Sequence, residues 1–465
     1  MNIEKLTIDV VPVEARHGKA RDLFALWFGN NLQVLSLVTG ALAPQLGLSF
    51  VWACIAIVMG NILGAIPVAY HAIQGPHLGV PQMIQTRAQF GYYGASFLLL
   101  VVFFLSFGYF ASTQALSGIT LADFFPGMST EVAILLVSLP VLTLAFLGHD
   151  WIHRWQRVAA ILLGVCVLYI TLKTFTSTGS NIGDSPAAVP PLALFLAVVA
   201  IFAVYQLTWA PYVADYSRYL PPDVPAARTF AATFLGQVVS AVWLQLLAAY
   251  VVAANPQTSN ALTMLVGQSG KWVLLIMALS LIGSAATMLY SGMLSLVTLA
   301  GTLAPRFHGK ARSGGILVTL FVGMPIALVG YDSFVTTFTN FLQVCLFVLI
   351  PWSAVNLADY YFARQGDYDV PALFTPTGTY GRWQWRGLIA YIAGLAVEVP
   401  FINQAQYTGP AAEALNGADV SWIVGLIVPA LIYLALERLF VRVTVVSSAR
   451  TPARDSGEVV REGES

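Results

Sequence analysis

Charged residues are scarce in this chain. Asp, Glu, Lys and Arg make up 9% of its 465 residues, whereas 58% are hydrophobic and the mean hydropathy is +0.75. Soluble domains carry about 25% charged residues, and a soluble protein of this length could not cover its surface with so few. The composition therefore excludes a soluble globular protein and predicts a membrane protein whose main solvent is lipid.

Neither sign of charge is in excess, and cysteine is nearly absent. The 22 basic side chains balance 22 acidic ones, so nothing indicates binding to nucleic acid. Cys54, Cys166 and Cys345 lie in apolar runs without a CxxC pair, which predicts small packed side chains rather than disulfides or a metal site. We expect no cleavable signal, because the first apolar run is too long for one.

Long apolar runs are abundant. Runs of about 18 or more mainly apolar residues are typical of transmembrane helices, and we find about twelve. They lie at 23–44, 48–70, 95–122, 131–148, 157–176, 190–213, 228–254, 272–301, 313–331, 334–362, 386–403 and 420–441. The chain is thus predicted to be an all-α membrane protein. A cytoplasmic segment at 1–22 precedes the transmembrane domain at 23–441, and a disordered tail follows at 442–465.

The basic residues support this map. All but two of the 22 Lys and Arg, namely Lys173 and Lys271, fall in segments on one side of the predicted membrane. Because cytoplasmic loops are enriched in Lys and Arg, both termini are predicted to be cytoplasmic. We expect a multi-pass protein of the inner, cytoplasmic membrane.

Polar residues interrupt the first and sixth spans. The first contains "LWFGNNLQVL" at 26–35, with Gly29, Asn30, Asn31 and Gln33. The sixth contains "AVYQLTWAPYV" at 203–213, with Tyr205, Gln206, Thr208 and Trp209 before Pro211. Transporters built from inverted repeats bind their solutes at discontinuous helices in matching positions of the two halves. The pattern predicts a five-plus-five inverted repeat, in which Gly29 permits unwinding and uncharged groups bind a planar polar solute.

Two other spans carry candidate binding faces. Ser106, Phe107 and Phe110 lie on adjoining faces of the third span, where an aromatic ring could stack on a flat solute. Ser280, Ser284 and Thr287 recur at three- and four-residue steps in the eighth span and so share one helix face. Both patterns are also typical of ordinary helix packing.

Several motifs carry a family resemblance. The stretch 26–94, which includes "PQMIQTRAQFGYYG", resembles the purine–cytosine permeases of the nucleobase:cation symporter family. So do "WAPYVADYSRYLP" (209–221), "MLYSGMLSL" (288–296), "PWSAVNLADYYFARQGDYDVPALF" (351–374) and "GADVSWIVG" (417–425). The resemblance implies a LeuT-like fold with repeats at about 23–176 and 190–362, followed by two C-terminal helices at about 386–441. It also implies cation-coupled import of a nucleobase by alternating access.

The resemblance also implies where the sites lie. The stacking aromatic of helix six in the family falls on Gln206, and two helix-eight asparagines fall on Ser284 and Met288. The pocket chemistry is thus altered, and cytosine, a purine and an allantoin- or hydantoin-like ring are all candidates. Helix-eight hydroxyls of sodium-coupled members fall on Ile282 and Gly283, which have none, so both H⁺ and Na⁺ remain candidate coupling ions.

The predicted site residues are as follows. The substrate site comprises Asn30, Asn31, Gln33, Ser106, Phe107, Phe110, Tyr205, Gln206, Thr208, Trp209, Ser284, Thr287 and Met288. The cation site comprises Gly29, Leu32, Ser280 and Gly283. We expect no cofactor beyond the coupling cation, and a monomer or homo-oligomer in the lipid bilayer.

Other functions stay open. An amino-acid or amine transporter could share this architecture, although an amide-rich break argues against a carboxylate site. A channel or a membrane enzyme is a further alternative, but the six histidines form no spaced ligand motif. The sequence therefore favours a transporter without enzymatic activity.

Overall fold

The computed structural model describes residues 8–177, 189–255, 270–304, 312–404 and 407–449. Most of the predicted tail, from position 450 onward, lies outside the described residues. The last helix continues to Ala449, past the end of its predicted span at 441.

The described part of the first half of the chain consists mainly of helices. Its helices are α1 (Ala20–Asn31), α2 (Val34–Gln45), α3 (Phe50–Leu78), α4 (Gln82–Gln85), α5 (Arg87–Phe90), α6 (Ala95–Phe124), α7 (Thr130–Leu147) and α8 (His149–Ser177). A short 3₁₀ turn at Val13–Ala15 precedes them.

The second half continues in the same way. Its helices are α9 (Leu192–Leu207), α10 (Val213–Ser217), α11 (Ala226–Ala254), α12 (Trp272–Leu303), α13 (Arg312–Gly330), α14 (Phe334–Ala358), α15 (Trp385–Glu398), α16 (Pro410–Ala414) and α17 (Ser421–Ala449). Short 3₁₀ turns lie at Ala210–Tyr212, Tyr331–Ser333, Pro371–Phe374 and Val399–Phe401, and a π turn at Asp359–Ala363. The strands β1 (Asn403–Gln404) and β2 (Tyr407–Thr408) form an antiparallel pair.

The helices account for the predicted spans. Among the described residues, ten helical segments are long and apolar enough to cross a membrane, if α9, α10 and the turn between them are counted together as Leu192–Ser217. They correspond to predicted spans two to ten and twelve. Span one is present as two pieces, α1 and α2. Span eleven is the 14-residue helix α15 with the 3₁₀ turn after it. The prediction of an all-α membrane protein is confirmed, with ten spans long enough for a bilayer core, which needs about 20 residues per helix.

The outer surface is apolar. Leu139, Val165 and Phe321 expose 62%, 66% and 70% of their surface, on α7, α8 and α13 respectively. Such contiguous apolar exposure is unfavourable in water but favourable against lipid. These helices therefore present their exposed faces to the hydrocarbon.

The helix contacts repeat between the two halves. α3 packs along α9, and in the other half α11 packs along α1 and α2; likewise α1 packs on α8, and α14 on α9. The contact of span two with span six corresponds to that of span seven with span one. The contact of span one with span five corresponds to that of span six with span ten. Because five crossings is an odd number, the second half traverses the membrane in the opposite sense. This is the predicted five-plus-five inverted repeat.

The first span is broken near its middle, as predicted. α1 ends at Asn31, Leu32 and Gln33 leave the helical conformation, and α2 begins at Val34. The prediction that Gly29 unwinds the helix is wrong, because Gly29 lies inside α1. The interruption instead begins three residues later, at Leu32, and Gln33 then adopts an extended backbone.

The sixth span is broken at the matching place. α9 ends at Leu207, and a 3₁₀ turn that contains Pro211 separates it from α10. Proline has no N–H to continue the α-helical pattern. Both predicted discontinuities are therefore confirmed.

The contact between α3 and α9 is very close. A Cβ built on Gly64 would lie 2.0 Å from the carbonyl oxygen of Ala203, and one built on Gly60 would lie 2.5 Å from that of Val199. Small residues let membrane helices approach to backbone contact. These two glycines thus fix the distance between α3 and the broken sixth span.

We expect Gly64→Ala to lower the apparent melting temperature of the purified protein. The added methyl meets backbone, which cannot rotate away, and overpacking of this kind costs about 1–3 kcal/mol. Gly330→Ala is the matched control, because a Cβ there meets nothing within 4 Å. Equal melting temperatures for the two variants would contradict this account of the contact.

Candidate functional site

The two helix breaks meet in the interior of the protein. Asn31, at the end of α1, uses its Nδ2 to donate to the carbonyl oxygen of Trp27 at 3.0 Å. The Asn31 carbonyl accepts a hydrogen bond from Ser36 Oγ on α2, which in turn lies 2.8 Å from the hydroxyl of Tyr205 on α9. The Ser36 hydroxyl thus satisfies the Asn31 carbonyl, which the interruption would otherwise leave unpaired. The same bonds join the first span to the sixth.

A second set of bonds joins α1 to α8 and α12. Gln156 Nε2 on α8 donates to Asn30 Oδ1 at 2.6 Å. Thr287 Oγ1 on α12 lies 3.4 Å from the same oxygen and 2.9 Å from the carbonyl oxygen of Gly283. Asn30 is therefore the point at which three helices are linked by uncharged groups.

Aromatic rings lie beside these amides. The rings of Trp27 and Trp209 meet edge to face, with centroids 5.4 Å apart, and Tyr216 meets Trp27 in the same way at 6.0 Å. Tyr109 on α6 lies 6.3 Å from Trp209 at a tilt of 33°, and its hydroxyl is 2.8 Å from Thr208 Oγ1. The junction of the two breaks thus combines amide groups with aromatic faces.

Several buried polar atoms at the junction have no hydrogen-bond partner among the described residues. The donors are Trp27 Nε1 and Asn30 Nδ2, and the acceptors are Asn31 Oδ1, Gln33 Oε1 and Gln156 Oε1. Leaving a buried polar group unpaired costs about 1–3 kcal/mol. A ligand with both donors and acceptors on its edge would remove that cost, whereas a purely apolar ligand would not.

The junction is closed in this conformation. Trp27, Asn30 and Asn31 have 0% of their surface exposed, and Trp209 and Gln33 have 2%. A solute can reach these groups only after the surrounding helices separate. The structure therefore represents a closed state of the junction.

Three predicted residues lie away from the junction. Gln206 Nε2 donates to Asn61 Oδ1 at 2.7 Å and to the carbonyl oxygen of Gln237 at 3.3 Å, so this amide bonds to α3 and α11. Phe107 lines an apolar groove of about 350 Å³ with residues of α13 and α14, and Phe110 packs against Gly323 of α13. Successive helix residues point about 100° apart, so Gln206 and Tyr205 face different neighbours.

The remaining predicted residues lie around the junction. Ser106 Oγ donates to the hydroxyl of Tyr212 at 2.9 Å and so links α6 to the turn after α9. Ser284, Thr287 and Met288 are buried on α12, with 0–1% exposed. Thr208 follows α9 and donates to the Tyr205 carbonyl at 2.9 Å.

The side chain of Gln156 lies beside the predicted cation site. Gly29 on α1 and Gly283 on α12 both face the side chain of Gln156. Leu32 donates its backbone N–H to the Phe28 carbonyl at 2.9 Å, and Ser280 Oγ donates to the Met277 carbonyl at 2.5 Å. The described residues contain no group of three or more His, Cys, Asp or Glu that could hold a metal ion.

Three residues of the junction, namely Trp27, Tyr109 and Gln156, are not among the predicted site residues. Trp27 lies one turn before the amides inside the interrupted stretch, so its position was a usable signal. Gln156 fell outside the predicted fifth span at 157–176, whereas α8 begins at His149. Tyr109 carried no signal that distinguished it from the other aromatic residues of the third span.

Comparisons with known proteins agree with this architecture. A family profile described as permeases for cytosine and purines, uracil, thiamine and allantoin matches residues 10–425. The putative purine–cytosine permease YxlA of Bacillus subtilis (strain 168) is 39% identical over 448 residues, which cover 94% of this chain and 96% of that protein. The purine–cytosine permease fcyB of Emericella nidulans is 26% identical over 466 residues, with 94% and 89% coverage.

Solved structures share the fold. MHP1, a nucleobase-cation-symport-1 family transporter in a closed conformation with bromovinylhydantoin bound, gives a TM-score of 0.76 at 19% identity and covers 94% of this chain and 96% of that one. An inward-facing conformation of the same transporter gives 0.73 at 17% identity, with 95% and 96% coverage. At these identities the likeness shows the fold alone. The profile match over most of the sequence shows the family: the chain belongs to the permeases for cytosine and purines, uracil, thiamine and allantoin.

Proposed function

We propose that this protein is a secondary active symporter that imports a nucleobase or a related heterocycle, coupled to H⁺ or Na⁺. The observation that carries the proposal is the junction of two interrupted helices, where unpaired neutral donors and acceptors lie beside two indole rings. A nucleobase matches this arrangement, because it is flat and carries both donors and acceptors on its edge. Family membership supports the same class of solute.

The edge of the solute would pair with groups on the first span. Trp27 Nε1 and Asn30 Nδ2 are available as donors, and Asn31 Oδ1 and Gln33 Oε1 as acceptors. Its faces would lie against Trp209, Trp27 and Tyr109, since aromatic faces stack on flat rings. The walls of the site would be completed by the other predicted residues around the junction, namely Ser106, Tyr205, Thr208, Ser284, Thr287 and Met288.

Transport would follow from separation of the helices at the junction. The buried groups must be opened to one side for the solute to enter and to the other side for its release. In inverted-repeat transporters, one bundle rocks against the other around a fixed site. Ser36 and Tyr205 join the two breaks and would tie their positions together during this motion.

The membrane orientation is part of the proposal. The distribution of Lys and Arg supports a cytoplasmic location for both termini in the inner membrane. Fusions of alkaline phosphatase, which is active only outside the cytoplasm, should be inactive when joined after Leu303 and active when joined after Phe125. The reverse pattern would contradict the proposed orientation.

We expect purified protein in proteoliposomes to take up radiolabelled cytosine or hypoxanthine, because the junction offers only neutral hydrogen-bonding groups to a ring. Unlabelled purines, uracil, allantoin and hydantoins should be tested as competitors, with leucine and choline as controls. Competition by at least one heterocycle and by neither control is the expected result. Competition by leucine alone would favour an amino-acid transporter, and currents far above carrier rates would favour a channel.

Asn31→Ala should raise the uptake KM about tenfold, because one hydrogen bond to the solute, worth roughly 1.4 kcal/mol, is lost. The measurement is initial uptake rate against solute concentration in proteoliposomes. Asn340→Ala is the matched control, since Asn340 is exposed on α14. An unchanged KM in Asn31→Ala would remove this residue from the site.

The Gln206→Ala variant tests whether Gln206 binds the solute or only joins neighbouring helices. Its amide bonds to α3 and α11, so we expect a lower apparent melting temperature and a KM within about twofold of wild type. A tenfold rise in the uptake KM without a lower melting temperature would contradict this assignment and indicate that Gln206 binds the solute.

A further inference from the structure

The side chain of Gln156 fills the gap between α1 and α12. A Cβ built on Gly29 would lie 2.7 Å from Gln156 Oε1, and one built on Gly283 would lie 2.6 Å from Gln156 Nε2, closer than real Cβ contacts. Gln156 itself has 0% of its surface exposed. Two glycines on different helices therefore leave the space that this one amide from α8 occupies.

The amide presents its positive end to the junction. Gln156 Nε2 donates to Asn30 Oδ1 at 2.6 Å, and Thr287 Oγ1 lies 3.4 Å from the same oxygen. An amide N–H carries a partial positive charge, and its interaction with oxygen strengthens where water is excluded. Gln156 thus bonds α8 to α1 through this oxygen and packs against Gly283 of α12, so that its amide lies between α1 and α12, where a cation shared by these helices would lie.

A cation does not fit the predicted position while Gln156 is there. Small hard cations need several oxygen ligands. Gln156 Oε1 faces Gly29 and has no partner among the described residues, but the Gly283 carbonyl already accepts from Thr287 Oγ1 at 2.9 Å and Ser280 Oγ donates to the Met277 carbonyl at 2.5 Å. Asn30 Oδ1 already lies within hydrogen-bond distance of two donors. The Nε2 hydrogens of Gln156 would also repel a cation placed beside Gly283.

We propose that Gln156 takes the structural place of a coupling cation between α1 and α12, so that neither solute binding nor uptake requires Na⁺. The proposal rests on the transport function proposed above and, of the two coupling ions considered, favours the proton. Gln156 would be a positioning residue, because it acts on the solute site through Asn30. Its neutral amide would provide permanently the link that a sodium-coupled carrier obtains only when the ion is bound.

The test compares Na⁺ with choline at equal concentration and fixed pH. The apparent melting temperature of the wild-type protein should be the same in both salts, and the cytosine or hypoxanthine concentration for half-maximal thermal shift should agree within about twofold. Gln156→Glu places a carboxylate of the same length at the position, and Na⁺ should then raise the melting temperature relative to choline. Gln45→Glu, at the exposed end of α2, adds the same charge elsewhere and should respond to Na⁺ no more than wild type does.

Two results would overturn the proposal. One is a Na⁺-specific rise in the wild-type melting temperature, or a gain in base affinity of about tenfold or more with Na⁺. The other is a folded Gln156→Glu protein without any Na⁺ response. The wild-type melting comparison uses no base and decides the proposal even if Gln156→Glu does not fold. Failure of every base to shift the melting temperature would instead count against the proposed solute class.

Discussion

The hydrogen bonds between the two interrupted helices are the constraint on which the buried site depends. A helix that breaks inside a bilayer leaves backbone groups without partners, and lipid cannot satisfy them. Here Ser36 bonds the Asn31 carbonyl at the first break and reaches Tyr205 at the second. The breaks must therefore face each other, and the repeated helix contacts of the two halves bring them to the same place. Once they meet there, the polar residues of both breaks share one buried site.

The site is only partly satisfied, and this connects its structure to its function. Trp27 Nε1, Asn30 Nδ2 and Asn31 Oδ1 lack partners among the described residues while fully buried. Such groups are costly in a dry interior, so a solute that pairs with them gains more than it would at a hydrated surface. Because these groups are neutral, a charged solute would lose its hydration without an opposite charge in return. The arrangement thus favours a neutral heterocycle and requires helix motion to admit it.

Much of this organisation follows from the sequence, and the parts that do not have physical reasons. Residues 26–35 and 203–213 indicated both breaks, because amides and proline are costly in a continuous membrane helix. The direction of a side chain depends on helix rotation, which the sequence does not give, and Gln206, Phe107 and Phe110 lie away from the junction. Gly29 was predicted to permit unwinding, whereas it lies inside α1 and leaves space for the side chain of Gln156. That contact joins residues 127 positions apart, and neither local composition nor periodicity carries information about such a pairing.

The central claim is that a flat neutral ring binds where the first and sixth spans are interrupted. An experimental structure of the protein with a bound nucleobase tests it most directly. The account predicts ring density between Trp27 and Trp209, with the edge of the base within hydrogen-bond distance of Asn30 or Asn31. A base bound instead in the apolar groove beside Phe107, with the junction still closed, would contradict it.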